Sequence, residues 1–207
     1  MRIIFASCLV LTIMVPTFIK ADLDKADQAE FNAVIENFIR NNPEVVRDAL
    51  IALAAREEAE RKQTGLAKVR DDLGDPVMGN PDGKITLYEF SDYNCGYCKR
   101  VFEPIQQILN DNPDVRLVIK EFPILSQSSL VAAKAAIAAE MQGKFGAFHI
   151  AMMTYRGQIT DDVVMLLAKQ AGVDEKQLKI DMESPKTAAI IQRTREAATV
   201  LKINGTP

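Results

Sequence analysis

The fold is decided by the stretch Ile85-Thr86-Leu87-Tyr88-Glu89-Phe90-Ser91-Asp92-Tyr93-Asn94-Cys95-Gly96-Tyr97-Cys98. Its first half is rich in β-branched and aromatic residues, which predicts a buried strand. A helical pattern begins at Lys99, so Cys95 lies at or near the amino terminus of a helix. Unpaired backbone N–H groups and the helix dipole favour an anion there, and we expect the pKa of Cys95 to lie below that of a free thiol. Cys98, about one turn along, is expected to be the more buried partner that closes a disulfide.

Composition places the chain among globular proteins. With 207 residues and 48% hydrophobic residues, it can form one ordinary domain plus an extension. The formal net charge is −3, and removal of residues 1–21, which hold two bases and no acids, takes it to −5. Because no basic patch stands out, a nucleic-acid partner is not expected.

Residues 1–21 have the features of a cleavable signal peptide. Arg2 supplies the positive charge, Leu9–Ile19 the apolar region and Ala21 a small residue before cleavage. The apolar run is shorter than the roughly 20 residues that span a bilayer, so an uncleaved anchor is the less favoured alternative. Cys8 precedes most of the apolar region and is interpreted as removed with the signal. We therefore expect a protein exported to the periplasm.

Only Cys95 and Cys98 remain in the mature chain. In an oxidising compartment, a close isolated pair is more useful as an exchanging dithiol than as a structural crosslink. A purely structural disulfide is the alternative, but closing so short a loop removes little entropy from the unfolded chain. A closed zinc site needs four ligands, whereas this pair and His149 offer three. The sequence therefore predicts a redox-active pair without a metal or other cofactor.

His149 is the only histidine, and a Cys–His nucleophile is the rival hypothesis. Such hydrolases also need an orienting residue and an oxyanion site, while His149 lies between Phe148 and Ile150 in an apolar helix. We predict a packed histidine. Met152 and Met153 are likewise predicted to fill the core rather than to bind copper.

Residues 22–72 are predicted to form a helical extension. Apolar residues recur on one helical face at Phe31, Val34, Ile35, Phe38 and Ile39, in a helix that begins near Lys25, and a second helix begins at Pro43. Gly65 is a candidate for a bend or an end of the second helix. Two interpretations stay open: a helix pair packed on the main domain, or a stalk that makes a homo-oligomer through residues 22–72.

The rest of the chain, residues 73–207, predicts an α/β domain. A turn-rich boundary at 74–83 precedes the strand that leads to Cys95, and a helix at 96–110 connects it to a second strand at Val115–Phe122. Strand, helix, strand is a βαβ unit, so the two strands should be parallel neighbours. Residues 128–203 then read as consecutive helices, which form a helical insertion.

The order of these features resembles the DsbA-like thioredoxin-fold oxidoreductases. The resemblance rests on Glu89 six residues before Cys95, the Cys-Gly-Tyr-Cys motif, the strand at 115–122, the helical insertion and Thr206-Pro207. It implies a thioredoxin-like fold and thiol–disulfide exchange. It also implies that Pro207 is a cis-proline facing the disulfide and binding substrate backbone with Thr206, and that Glu89 is a buried acid assisting proton movement. The alternative for Glu89 is an exposed strand position.

Two details of the sequence are similar to particular members of this group. The dipeptide Gly96-Tyr97, and Thr206 before the expected cis-proline, are similar to DsbC-type disulfide isomerases, and the extension is similar to that of oligomeric ScsC proteins. The partners implied are exported cysteine-containing proteins and a membrane redox partner. Whether the protein acts as oxidase, isomerase or reductase stays open. A non-catalytic oligomeric binding protein or holdase is the hypothesis from another class.

The chain departs from that group at its carboxyl end. The fold of the group continues after the cis-proline with a β-hairpin and a final helix, whereas this sequence ends at Pro207. We therefore expect that the chain is a carboxyl-terminally truncated version of the fold, whose sheet would keep an open edge.

Overall fold

The computed structural model describes residues 24–207, so the predicted signal peptide at 1–21 lies outside the described residues. The helices are α1 (Lys25–Asn41), α2 (Pro43–Arg70), α3 (Gly96–Asp111), α4 (Gln127–Met141), α5 (Phe145–Thr154), α6 (Asp161–Gln170), α7 (Glu175–Met182) and α8 (Pro185–Leu201). The strands are β1 (Val77–Gly79), β2 (Ile85–Ser91) and β3 (Val115–Glu121). Within 24–207, none of the helices combines the length and the apolar content that crossing a bilayer requires.

Two compact units divide the chain between Ala54 and Ala55, inside α2. The amino-terminal unit consists of α1 and the first part of α2, and Asn42 lies between the two helices, donating from Nδ2 to the Phe38 carbonyl at 2.8 Å. The predicted apolar face is present but exposed, since at least 40% of each side chain is accessible at Phe31, Val34, Ile35, Phe38, Ile39, Val45, Val46, Leu50, Ile51 and Leu53. Several of these residues line a groove of about 570 Å³.

The sheet of the second unit has the strand order β1-β3-β2. As predicted, β2 and β3 are parallel, with Ile85 opposite Val115 and Ser91 opposite Glu121. Within the turn-rich boundary predicted at 74–83, the structure contains a short strand that was not predicted, because β1 pairs antiparallel with β3. A strand of three residues ending in a glycine is too short to show the alternation by which strands are recognised.

Each face of the sheet carries its own core. On one face, Leu117 and Ile119 of β3 pack with the cysteine pair and with apolar residues of α4 to α7. On the other face, Phe90 and Phe122 pack with Val69 of α2 and with alanines of α8. Helices α4 to α7 of the predicted insertion therefore cover the face on which the cysteines lie, and its last helix, α8, covers the other face.

Helix α2 continues through Gly65, where a bend or an end was expected. A Cβ at Gly65 would overlap the side chain of Leu201, so glycine here permits the close approach of α8. Arg61 donates from Nη1 to the Val200 carbonyl at 3.2 Å in the same contact. Residues 55–70 of α2 thus pack as part of the second unit.

Side-chain caps begin three helices of the insertion. Side-chain oxygens of Thr160, Asp174 and Ser184 accept backbone N–H groups in the first turns of α6, α7 and α8. Pro185 occupies the first turn of α8, where its missing N–H costs nothing. These local signals place the helix starts correctly.

Candidate active site

Cys95 is the N-cap of α3, as the sequence predicted. Its Sγ accepts the N–H of Cys98 at 3.4 Å and donates to the carbonyl of Thr206 at 3.2 Å. The Thr206–Pro207 peptide bond is cis, which confirms the expectation that Pro207 is a cis-proline. Both cysteines are free thiols, Cys95 with 6% of its surface exposed and Cys98 with none. The structure therefore brings the two cysteines and Thr206-Pro207 together, with Cys98 the more buried thiol.

The two thiols differ in acidity. Burial raises the pKa of Cys95, but hydrogen bonds from the Thr206 side chain and from the N–H groups of Cys98 and Tyr97 outweigh it, so its pKa lies below the ordinary value. Burial raises the pKa of Cys98 to about 11. The helix amides act as predicted, whereas the contribution of the Thr206 side chain was missed because this residue lies 111 positions away in the sequence. Cys95 is thus suited to be the thiolate and Cys98 the thiol.

The dipeptide between the cysteines lies on the surface. Gly96 is exposed, and a Cβ there would contact nothing. Tyr97 is 66% exposed, and the guanidinium of Arg100 lies 3.9 Å from the centre of its ring. These residues form the rim around Cys95.

Glu89 lies on the face of the sheet that carries the cysteines. It is opposite Ile119 in the register of β2 and β3, and its side chain is partly buried. Burial raises the pKa of Glu89, while a hydrogen-bonding interaction with Ser91 lowers it in part. Glu89 also lines a cavity of about 420 Å³ together with Pro207. The structure therefore places this carboxyl below the active site rather than at an exposed strand position.

Asp92 is a site residue that the sequence interpretation missed. Its buried carboxylate accepts hydrogen bonds from the N–H groups of Asn94 (2.8 Å), Ile124 (2.9 Å) and Leu125 (3.0 Å) and from Oγ of Ser129 (2.7 Å). These bonds hold the loop before Cys95 against the loop that leads into α4. The local signal was the Asx turn of Asp92 and Asn94; the three other donors are at least 32 positions away.

A second buried polar cluster contains Tyr93, Glu121 and His149, which are all at most 1% exposed. The hydroxyl of Tyr93 donates to Oε1 of Glu121 at 3.2 Å and lies 2.9 Å from Nδ1 of His149. Burial raises the pKa values of Tyr93 and Glu121 well above their ordinary ranges and lowers the pKa of His149 to about 3. The packed histidine is confirmed, as is the burial of Met152 and Met153.

Lys120 forms a separate buried ion pair on the opposite face of the sheet. Its Nζ lies 2.6 Å from Oδ2 of Asp75, and Arg193 approaches the same oxygen at 3.3 Å. Alternation along β3 therefore sends Lys120 and Glu121 into different cores. Among residues 24–207, no cluster of three or more histidines, cysteines or acids is placed to hold a metal ion.

A dithiol at the start of the helix that follows β2, with a cis-proline beside it and helices on both faces of the sheet, defines a thioredoxin-fold dithiol protein. A protein-family model described as thioredoxin matches residues 71–207. The chain belongs to the thioredoxin family, within which it is a thiol–disulfide oxidoreductase of the DsbA/ScsC type.

Three solved structures illustrate the similarity. A thioredoxin-like oxidoreductase from Silicibacter pomeroyi DSS-3 is 44% identical, with a TM-score of 0.65, over 68% of this chain and 81% of that one. The thiol-disulfide exchange protein α-DsbA2 from Wolbachia pipientis is 28% identical, with a TM-score of 0.66, over 74% and 84%. ScsC from Proteus mirabilis, in a transitional conformation, is 26% identical, with a TM-score of 0.64, over 89% and 87%.

Curated relatives are longer proteins. The Na(+)/H(+) antiporter NhaA 1 of Salinispora arenicola (strain CNS-205) is 25% identical over 135 residues, which are 64% of this chain and 21% of that protein. The chain spans about a fifth of the length of the curated relatives it matches.

Proposed function

We propose that this protein exchanges disulfides with exported, cysteine-containing proteins in the periplasm through its Cys-Gly-Tyr-Cys motif. The observation that carries the proposal is the placement of the pair: Cys95 is the N-cap of α3 beside the cis Thr206–Pro207 bond, and Cys98 is fully buried one turn along. In agreement with this placement, the pKa of Cys95 is lowered and burial raises that of Cys98. The location follows from the predicted signal peptide, and a similar thioredoxin-like protein from Salmonella enterica serovar Typhimurium is periplasmic.

The exchange begins at Cys95. In the reduced protein its thiolate attacks one sulfur of a substrate disulfide, forms a mixed disulfide and releases the other substrate sulfur as a thiolate. Cys98 then loses its proton and attacks Sγ of Cys95, which closes the Cys95–Cys98 disulfide and releases the second substrate thiolate. In the reverse direction, a substrate thiolate attacks Cys95 of the oxidised pair. Two electrons move in either direction, and a membrane redox partner would restore the starting state.

Glu89 is the proposed acceptor for the proton of Cys98. Its carboxyl lies on the cysteine-bearing face of the sheet, and burial raises its pKa, so that it can both take and return a proton. Thr206 and Pro207 are proposed to bind the backbone of the substrate beside Cys95. Gly96 and Tyr97 would contact the substrate from the exposed rim.

Reduction of insulin and refolding of scrambled ribonuclease test the exchange. Cys95→Ser should abolish both activities, whereas Cys98→Ser should accumulate mixed disulfides that appear on non-reducing gels. A Cys95→Ser protein with normal turnover would exclude the proposal. The rival holdase hypothesis predicts a pair that stays oxidised, so rapid thiol trapping after mild reductant would argue against it.

A homo-oligomer with isomerase activity is the second candidate. It is supported by the exposed apolar face of α1 and α2 and by the similarity to ScsC, which extends over 89% of this chain. Several active sites around one cleft would favour repeated reshuffling of non-native disulfides. Sedimentation of the mature protein and of a Val34→Glu variant tests this candidate, because a charge on the face should shift an oligomer toward monomers. A wild-type protein that sediments as a monomer would contradict it.

A further inference from the structure

Ser91, the last residue of β2, carries a polar group that the proposed chemistry has not used. The side chain is 2% exposed, and its hydroxyl makes no well-formed hydrogen bond. Buried hydroxyls in folded proteins nearly always have such a partner. A buried hydroxyl without a well-formed hydrogen bond, next to a redox pair, therefore calls for an explanation in terms of that pair.

The strand register places this hydroxyl among the groups that move protons. Residues two apart on a strand share a face, so Ser91 lies on the same face as Glu89, and Glu121 is directly opposite Ser91 on β3. Cys98 packs over this face with Leu117. Along β2, Ser91 lies between Glu89 and the loop that ends at Cys95, so its side chain is positioned between the Glu89 carboxyl and the cysteine pair. In agreement with this position, it lowers in part the pKa of the Cys98 thiol and of the Glu89 carboxyl.

Other titratable groups also face this position. Asp92 is engaged by four hydrogen-bond donors, and one oxygen of Glu121 is bonded to Tyr93, which also contacts His149 of α5. The second oxygen of Glu121 is buried and unpaired. Glu89 shares both the strand and the face of Ser91 and interacts with its side chain, whereas Glu121 is held in the cluster with Tyr93. Glu89 is therefore the acceptor that Ser91 serves.

We propose that Ser91 relays the proton between the Cys98 thiol and the Glu89 carboxylate. This relay rests on the proposed disulfide exchange. As the mixed disulfide resolves, the Cys98 proton passes to Oγ of Ser91 while the Ser91 hydroxyl proton passes to Glu89. The Cys98 thiolate attacks Sγ of Cys95, the bond between Cys95 and the substrate breaks, and the substrate leaves as a thiolate. One proton moves from sulfur to carboxylate, and the electron pair of the new disulfide comes from Cys98.

Stopped-flow reaction with a chromogenic aryl disulfide separates the two steps. The first aryl thiolate released reports attack by Cys95, and the second reports resolution by Cys98. Ser91→Ala should leave the first phase unchanged and slow the second about ten- to a hundredfold, the scale of proton-transfer catalysis. The pH at which the second phase is half-maximal should also rise. Ser91→Thr, which keeps a hydroxyl, should remain close to wild type.

A structural role for Ser91 would give a different pattern. In the relay, Glu89→Gln and Ser91→Ala act on one step, so the double variant should be no slower than the slower single variant. Thr194→Val is the matched control, because Thr194 also has a buried, unpaired hydroxyl but lies on α8. If Ser91→Ala does not fold, Ser91→Val and Ser91→Thr are compared instead, because valine and threonine have nearly the same shape and only threonine keeps the hydroxyl.

Each result decides the relay. The relay is overturned if Ser91→Ala leaves the rate of the second phase unchanged, or if Ser91→Thr slows that phase as much as Ser91→Ala does. It is also overturned if the two substitutions multiply their effects in the double variant. In each case the proposed exchange stands. A wild-type protein that releases no aryl thiolate overturns the exchange itself, and the relay with it.

Discussion

The two units of this molecule depart from ordinary burial in opposite ways. The unit that ends at Ala54 exposes a face of large apolar side chains, whereas the unit that begins at Ala55 buries Lys120, Asp75 and Glu121 almost completely. Exposed apolar surface is stabilised by a covering partner, at about 25 cal/mol per Å² buried. Buried charge is stabilised only by partners inside the fold. The contrast is consistent with the proposal that the first unit contacts another surface, whereas the buried charges of the second unit depend on partners inside the fold.

Breaking a buried ion pair should give the largest effect. Lys120→Met removes the cation 2.6 Å from Asp75 and leaves Arg193 as the remaining neighbour of that carboxylate. We expect a loss of about 3 kcal/mol in the free energy of unfolding, measured in urea, because the carboxylate stays buried with less compensation. Lys134→Met is the control, since its partner Glu183 is 72% exposed and the pair should contribute about 1 kcal/mol or less.

The double variant Lys120→Met/Asp75→Asn sharpens this test. Removing both charges eliminates the uncompensated carboxylate, so most of the lost stability should return. A double variant as unstable as Lys120→Met would mean that packing, rather than charge, explains the loss.

Acid should destabilise the second unit through His149. Burial lowers the pKa of His149 to about 3, whereas the unfolded value is about 6.5. Below pH 6.5 the unfolded chain therefore binds the proton first, and stability is lost as the pH falls toward 3. At pH 4 this contribution amounts to about 3 kcal/mol. The raised pKa of Glu121 acts in the opposite direction, since its stabilisation is present at low pH and is lost as the pH rises through its folded pKa.

Urea unfolding between pH 7 and pH 4 measures this effect. His149→Phe should flatten the dependence relative to wild type, because phenylalanine can keep the ring contacts with Phe102 and Phe145 but cannot be protonated. Identical slopes for the two proteins would show that His149 does not resist protonation in the fold.

A smaller effect is expected at the thiolate. Thr206→Val removes the side-chain hydroxyl that helps to lower the pKa of Cys95, so the pKa should rise. Alkylation of Cys95 by iodoacetamide at pH 6 should then slow severalfold, with its pH profile displaced upward. Thr199→Val, which changes an exposed hydroxyl of α8, should leave the profile in place. An unshifted Thr206→Val profile would assign the low pKa to the helix amides alone.

The sequence predicted the parts of this site that depend on local chemistry. Cys95 at the start of a helix and the parallel βαβ unit both follow from patterns within a few residues. The apolar face of α1 follows from its helical spacing in the same way. These features depend mainly on residues that are close in the sequence, which is why they could be predicted.

The features that escaped prediction depend on distant pairings. Asp92 bonds to residues 32, 33 and 37 positions away, and the direction of Glu89 became known only with the register of β2 against β3. Strand β1 is recognisable only through its pairing with β3. A single sequence shows which acidic residues need a hydrogen-bond donor if they are buried. It does not specify which distant donor each of them contacts.

Leu50→Ala should give the smallest effect, and its comparison with the buried Leu178 returns to the contrast between the units. Leu50 is 60% exposed in α2, whereas Leu178 of α7 is fully buried. Leu178→Ala should cost about 2–5 kcal/mol of unfolding free energy, since it leaves a cavity. In dilute protein, Leu50→Ala should change the free energy of unfolding by less than about 0.5 kcal/mol, because little packs on this side chain within the chain.

If copies of the chain cover the apolar face, wild-type stability will rise with protein concentration and Leu50→Ala will weaken that rise. A wild-type stability that does not depend on concentration would mean that the apolar face is not covered by copies of this chain.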